Sequence, residues 1–257
     1  MIESELLFTH VLDCDRVSLY LNKDTHLTSK QANFISSSLK RRMRGEPLQY
    51  ILGKTEFMGL DFKVNKNVLI PRPETEILVE AALKYVKGKK ILDLGTGSGC
   101  IAVSIAKKLP AGEITAVDIS KDALELAKEN AKLNGVKIRF LRANFFKGLS
   151  AKYDLIISNP PYVPCGQIRS LQPELQYEPL VALDGGSDGL ASYRKIIKEA
   201  PDYLKDSGIL IMEMGFNQRK YIEDIFKETE YFDIIEIIKD YNNIDRIIVA
   251  KKGKRNG

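Results

Sequence analysis

The rhythm of hydrophobic and polar positions changes along the chain. Over about the first 45 residues, apolar positions recur at helical spacing: Leu6, Leu7, Val11 and Leu12, then Phe34, Ile35 and Leu39. Thr28-Ser29-Lys30-Gln31 has the form of a capping box, in which hydroxyl and amide side chains satisfy each other's backbone N–H groups. Gly45 ends the second helical pattern. Residues 55–70 (TEFMGLDFKVNKNVLI) alternate apolar and polar positions around a central glycine, which predicts a β-hairpin. Pro71 and Pro73 close that run. A helix is predicted from Glu74, with Ile77, Leu78, Ala81 and Leu83 on its apolar side.

From residue 89 short β-rich runs alternate with amphipathic helices. KILDLG precedes CIAVSIAKKL, EITAVDI precedes KDALELAKENAKLN, and VKIRFLR and YDLIIS follow. A helix near 190–205, GILIMEM and a helix near 217–228 continue the series. YFDIIEIIK and DRIIVAKK close it with no helix between them. This alternation predicts an α/β fold, a doubly wound and mainly parallel sheet with helices on both faces. The last strand is expected to insert antiparallel. The change of rhythm divides the chain into residues 1–75, small helices plus a linking hairpin, and residues 76–257, the α/β domain. No internal repeat is evident.

Composition narrows the class. With 44% hydrophobic and 28% charged residues, the chain is not of disordered, collagen-like or disulfide-scaffold type. No apolar run approaches the roughly 18–20 residues of a membrane span. The start, MIESELLFTHVLDCD, lacks the features of a signal peptide. Cys14, Cys100 and Cys165 form no CxxC pair, which suits a reducing cytoplasm. His10 and His26 are the only histidines and lie far from the motifs below, so neither a Ser-His-Asp triad nor a His-rich metal site is expected. The net charge of +5 is concentrated at the end: without Lys251, Lys252, Lys254 and Arg255 it is +1. Those four read as a solvated, frayed tail rather than a footprint for nucleic acid. Lys40, Arg41, Arg42 and Arg44 end a helical pattern, where cations suit the helix dipole.

Three segments carry chemistry. Asp93-Leu94-Gly95-Thr96-Gly97-Ser98-Gly99 lies between a predicted strand and a helix, where alternate glycines let the backbone turn and lie against a ligand. Gly97 to Ala102 also satisfies the dinucleotide pattern G-x-G-x-x-G/A, so the glycines alone do not distinguish NAD from another nucleoside. Asp118 ends the second strand, about 20 residues on, where a carboxylate can accept from both hydroxyls of a ribose. Ser120 is the better cap for the helix that follows. The strand YDLIIS runs directly into Asn159-Pro160-Pro161-Tyr162. Two prolines stiffen this corner. The Asn159 side-chain oxygen and the Pro160 carbonyl can then accept both hydrogens of one NH2 group, with Tyr162 offering an aromatic surface to a planar ligand.

DLGTGSG, VDIS and NPPY together resemble the class I S-adenosylmethionine-dependent methyltransferases that modify a planar amide or exocyclic amine. Arg42–Gly53 (RMRGEPLQYILG), Leu69–Glu76 (LIPRPETE) and Tyr177–Gly186 (YEPLVALDGG) further resemble the HemK/PrmC family, over nearly the whole chain. The resemblance implies a seven-stranded, Rossmann-like sheet behind a helical substrate-recognition domain. It implies S-adenosylmethionine as cofactor, S-adenosylhomocysteine as product, and no metal. Gly95, Thr96, Gly97, Ser98 and Gly99 would line the cofactor's methionine and ribose, and Asp118 its ribose diol. Asn159, Pro160, Pro161 and Tyr162 would cradle a glutamine amide, with Asn159 also touching the cofactor. The family often has an acidic residue before an aromatic after the third strand. Here Asn144 takes that place, able to accept from the adenine amino group, and Phe145 would pack on the ring. The implied partners are class 1 peptide chain release factors, acted on by a cytoplasmic monomer without direct contact to nucleic acid or membrane. Glutamine methylation of a ribosomal protein, adenine-N6 methylation of nucleic acid, and a cofactor sensor without activity are the competing readings.

Overall fold

The structure is a computed structural model and describes residues 2–21 and 24–253. Its N-terminal part is four helices, α1 (Glu3–Leu12), α2 (Arg16–Leu21), α3 (Ser29–Arg42) and α4 (Leu48–Leu52). Leu7, Ile35, Leu48 and Ile51 form their core, with Leu6, Val11 and Phe34 packed around it. Leu39, expected on the same apolar side, is half exposed. The capping box forms as predicted: Gln31 N donates to Thr28 Oγ1 at 3.3 Å, and Thr28 N donates to Gln31 Oε1 at 2.9 Å. The basic cluster at the end of α3 does more than favour the helix dipole. Arg41 pairs with Glu46, and Arg42 reaches both Glu3 (2.9 Å) and Glu174 (2.8 Å).

The hairpin is shorter than its alternating pattern. Strands β1 (Lys54–Phe57) and β2 (Leu60–Lys63) turn through Met58 and Gly59, both at positive φ. The alternation continues beyond β2 because Val64, Val68 and Ile70 are buried against Tyr50, Ala123 and Leu126, not because a partner strand continues. Helix α5 (Pro73–Tyr85) follows, with Arg72 at its N-cap and Pro73 in its first turn, so residue 75 lies inside a helix.

The α-helices and strands that follow are β3 (Lys90–Leu94), α6 (Cys100–Lys108), β4 (Glu113–Asp118), α7 (Lys121–Leu133), β5 (Arg139–Arg142), β6 (Tyr153–Ser158), α8 (Leu180–Leu183), α9 (Ala191–Tyr203), β7 (Leu204–Glu213), α10 (Arg219–Thr229), β8 (Phe232–Lys239) and β9 (Asp245–Lys252), with two 3-10 turns, Cys165–Ser170 and Pro173–Tyr177, between β6 and α8. Seven strands form one sheet in the order β5-β4-β3-β6-β7-β9-β8. The first five are parallel, and β9 inserts antiparallel between β7 and β8. Two apolar clusters cover the two faces. One is centred on Leu78, Val79 and Ile105, the other on Tyr193, Ile197 and Phe226. The reading of a frayed basic tail fails for two of its residues. Lys251 and Lys252 belong to β9, and the Lys252 ammonium donates to the Pro201 and Leu204 carbonyls. Strand pairing holds them, Lys251 opposite Ile209 of β7 and Lys252 opposite Phe232 of β8; Lys254 and Arg255 lie outside the described residues. Among the described residues no helix is long and apolar enough to cross a membrane.

Candidate active site

Strand register assembles the site. The order of the sheet reverses between β3 and β6, the switch point where open α/β sheets leave a crevice beyond the strand C-termini. Leu94 of β3 pairs with Ser158 of β6 and with Val117 of β4, so Gly95, Asn159 and Asp118 emerge side by side. The Ser158 hydroxyl ties the first two strands further by donating to the Leu94 carbonyl at 2.8 Å. Gly95, Gly97 and Gly99 all sit at positive φ. A Cβ on Gly95 or Gly97 would meet nothing within 4 Å, because the loop faces open space, whereas one on Gly99 would press on Ala127. Asp118 is folded into this loop: its Oδ2 accepts from Gly97 N and its Oδ1 from Ser120 N, both at 2.8 Å. Burial raises its pKa against those two bonds. Ser120 caps α7, accepting from Ala123 N. Behind the loop Asp93 is fully buried, accepts from the Thr96 hydroxyl at 2.6 Å, and is pushed up to about 7 by desolvation.

The cleft is lined by Gly95, Thr96, Gly97, Ser98, Asp118, Asn159 and Pro161 from the expected set, joined by Arg72, Thr75 and Val181. Pro160 is buried behind Asn159. Tyr162 packs against the core on one face of the sheet, where burial pushes its hydroxyl up to about 12. Its backbone carbonyl accepts from the Gln218 side chain at 3.0 Å. Gly99 lies at the N-cap of α6 rather than on the cleft wall. Asn144 and Phe145 stand beyond β5, away from the lining. The Asn144 side-chain oxygen accepts from the Lys195 ammonium at 2.9 Å, and the same ammonium lies 5.2 Å from the Phe145 ring centroid. An adenine amino group would have to share that acceptor. Among the described residues no group of three or more His, Cys, Asp or Glu is placed to hold a metal.

Sequence reasoning missed the layer behind Asn159. The Asn159 amide nitrogen donates to Thr75 Oγ1 at 3.1 Å, and the Thr75 hydroxyl donates to Glu213 Oε2 at 2.7 Å. Glu213 ends β7 and is buried, and desolvation pushes it up to about 7. Its signal was present in GILIMEM, a lone acid at the end of an otherwise apolar strand. Arg72 was missed as well. Its guanidinium grips both oxygens of the buried Glu178 at 2.7 Å, joining the two segments that flank the cleft mouth.

Two family patterns match the chain: the PrmC N-terminal domain over residues 1–53 and the methyltransferase small domain over residues 73–171. The release factor glutamine methyltransferase of Thermodesulfovibrio yellowstonii is 45% identical, over 98% of this chain and 92% of its own. That of Geobacter sulfurreducens is 43% identical over 98% and 89%. The chain belongs to the release factor glutamine methyltransferase family. A methyltransferase of Pyrococcus furiosus shares the fold, with a TM-score of 0.60 at 18% identity, covering 88% of this chain and all of that one. S-adenosylmethionine dependence comes with the family, and the seven-stranded sheet behind a helical N-terminal part is its architecture.

Proposed function

We propose that the protein transfers the methyl group of S-adenosylmethionine to the side-chain amide nitrogen of the glutamine in the Gly-Gly-Gln motif of class 1 peptide chain release factors. It would do so in the cytoplasm, as a monomer, in support of translation termination. The observation that carries this reading is the Leu94–Ser158 register, which sets a glycine loop suited to a nucleoside beside an Asn-Pro corner suited to a carboxamide.

The residues fit the cofactor. Open space in front of Gly95 and Gly97 leaves room for a ligand against the backbone. Each Asp118 oxygen accepts one backbone N–H and keeps a lone pair for a ribose hydroxyl. Asn144 and Phe145 would hold the adenine. When bound, S-adenosylmethionine supplies a sulfonium methyl, a strong electrophile.

The chain's own residues bind and align. Asn159 Oδ1 and the Pro160 carbonyl accept the two hydrogens of the glutamine NH2. This raises electron density on a nitrogen whose lone pair is otherwise delocalised into its carbonyl, and aims that lone pair along the cleft. Pro161 borders the cradle on the cleft side, and Tyr162, packed on the core, backs the corner. Such alignment is worth up to about 7–11 kcal/mol in favourable intramolecular cases. The nitrogen becomes acidic as it is alkylated, and its proton leaves to water. The N-terminal helices would orient the release factor, because one glutamine offers little surface of its own.

Incubation with labelled S-adenosylmethionine and, separately, a release factor, ribosomal proteins or an oligonucleotide tests the reading. Label on the Gly-Gly-Gln glutamine is expected, located by mass spectrometry. Label only on ribosomal protein or nucleic acid, or on nothing, would overturn it.

A further inference from the structure

The layer behind Asn159 has a polarity, and that polarity bears on the reaction. Glu213 and Thr75 are 2% and 3% exposed, so their hydrogen bonds do not exchange freely with water. Met212 pairs with Ser158, which sets Glu213 next to Asn159 at the end of the neighbouring strand. Thr75 reaches the same point from the first turn of α5. A threonine hydroxyl has one proton. Here it is given to the Glu213 carboxylate, so Thr75 Oγ1 can only accept from its other neighbour. That neighbour is Asn159, which must therefore present NH2 to Thr75 and keep its oxygen for the cleft.

We propose that Glu213 and Thr75 are positioning residues: together they hold the Asn159 carboxamide oxygen-outward, which is the only orientation able to accept an N–H from the substrate amide. The inference rests on the function proposed above. It requires Glu213 to be ionised. A protonated Glu213 can donate to Thr75, freeing the threonine proton to point at Asn159 and letting the amide turn over. NH2 would then face NH2 across the cleft. The charged and titratable groups around Glu213 come from every element that packs on it. Arg246 of β9 favours the carboxylate, Glu74 of α5 opposes it, and Tyr162, Tyr193 and Cys100 lie within its field. The Tyr193 hydroxyl donates to the Glu213 backbone carbonyl at 2.9 Å, holding the strand end in place. Burial pushes Glu213 up to about 7, so the charge state that orients Asn159 changes close to neutral pH.

The test compares wild type, Glu213→Met, which removes the acceptor, Glu213→Gln, which removes only the titrating charge, Thr75→Val and Thr75→Ser, with intact release factor as substrate, from about pH 6 to about pH 9. At high pH, Glu213→Met and Thr75→Val should lower kcat by about tenfold or more, while Kd for S-adenosylmethionine by calorimetry stays within about twofold. Thr75→Ser keeps the hydroxyl and should keep most of the turnover. Wild-type kcat should fall on the acid side of an inflection near 7, and Glu213→Gln should lack that inflection. A readout independent of turnover is the Asn159 side-chain NH2 pair in 15N NMR spectra of the whole protein, which should shift and exchange faster in Thr75→Val than in Thr75→Ser. Unchanged kcat in both severe variants, equal damage from Thr75→Ser and Thr75→Val, or an unmoved Asn159 NH2 pair would overturn the inference. A wild type that methylates no release factor would instead sink the functional reading, with the NMR comparison still deciding the orientation of Asn159.

Discussion

Asn159 and Asp118 occupy neighbouring strand ends yet serve different partners, so their removal should separate turnover from cofactor binding. Asn159→Ala deletes an acceptor for the reacting amide. We expect kcat to drop by about a hundredfold, the scale seen when a group aimed at a reacting centre is lost, with little change in Kd for S-adenosylmethionine. Asp118→Ala should instead weaken that Kd by roughly 1.5–3 kcal/mol, as for a hydrogen bond to a charged group. Steady-state kinetics and calorimetry on both variants check the split; parallel losses would contradict it. These two residues, with the glycine loop, could be read from the chain because each motif uses residue types that few other purposes need in that order. Glu213 and Thr75 could not. A carboxylate at a strand end or a threonine in a helix's first turn is commonplace, and only the Ser158–Met212 register shows that they meet Asn159.

The corner after β6 is held in place by backbone close to it. A Cβ on Gly189 would stand 2.4 Å from the Tyr162 carbonyl oxygen, and one on Gly185 would stand 2.9 Å from the Tyr162 carbonyl carbon. Gly189 also has φ +78, where a side chain is strained before any clash. Gly189→Ala should therefore cost about 1–3 kcal/mol of stability and displace the corner enough to lower kcat. Gly59→Ala is the comparison: φ is +72 but nothing lies within 4 Å, so only the backbone strain of about 1 kcal/mol is expected, with turnover intact. Denaturant unfolding and kcat on both variants test this. Element positions were largely legible, because YDLIIS, CIAVSIAKK and KDALELAKEN carry unambiguous periods and β6 falls where its pattern lies. The hairpin was read too long, since period-two burial of Val64, Val68 and Ile70 looks the same whether they pack on a strand or beside α7. The glycines of ALDGGSDGL gave no hint that they wall the corner, because close approach is a property of the folded chain.

For the molecule as a whole, the row of strand ends that forms the cleft also holds two carboxyl groups out of water. Asp93 and Glu213 are each pushed up to about 7 by burial, while an unfolded chain releases such protons near pH 4. Between those values the folded state retains protons that the unfolded state has lost. Stability should therefore fall as pH rises, on the order of 1 kcal/mol per pH unit for each group, and level off above about pH 7. Ion-paired surface acids act with the opposite sign and in another window. Asp188, lowered to about 2 by Arg194, contributes stability that is present above the ordinary carboxylate pKa and disappears only in acid. Asp93→Asn isolates the buried term, since an asparagine oxygen can still accept from Thr96 without carrying a charge. The unfolding free energy of this variant relative to wild type should climb from about pH 5 to about pH 7 and then hold steady, measured by urea titration at each pH. A difference that stayed constant across that range would mean that Asp93 titrates alike in both states, and that desolvation at the C-terminal edge of the sheet does not govern its charge.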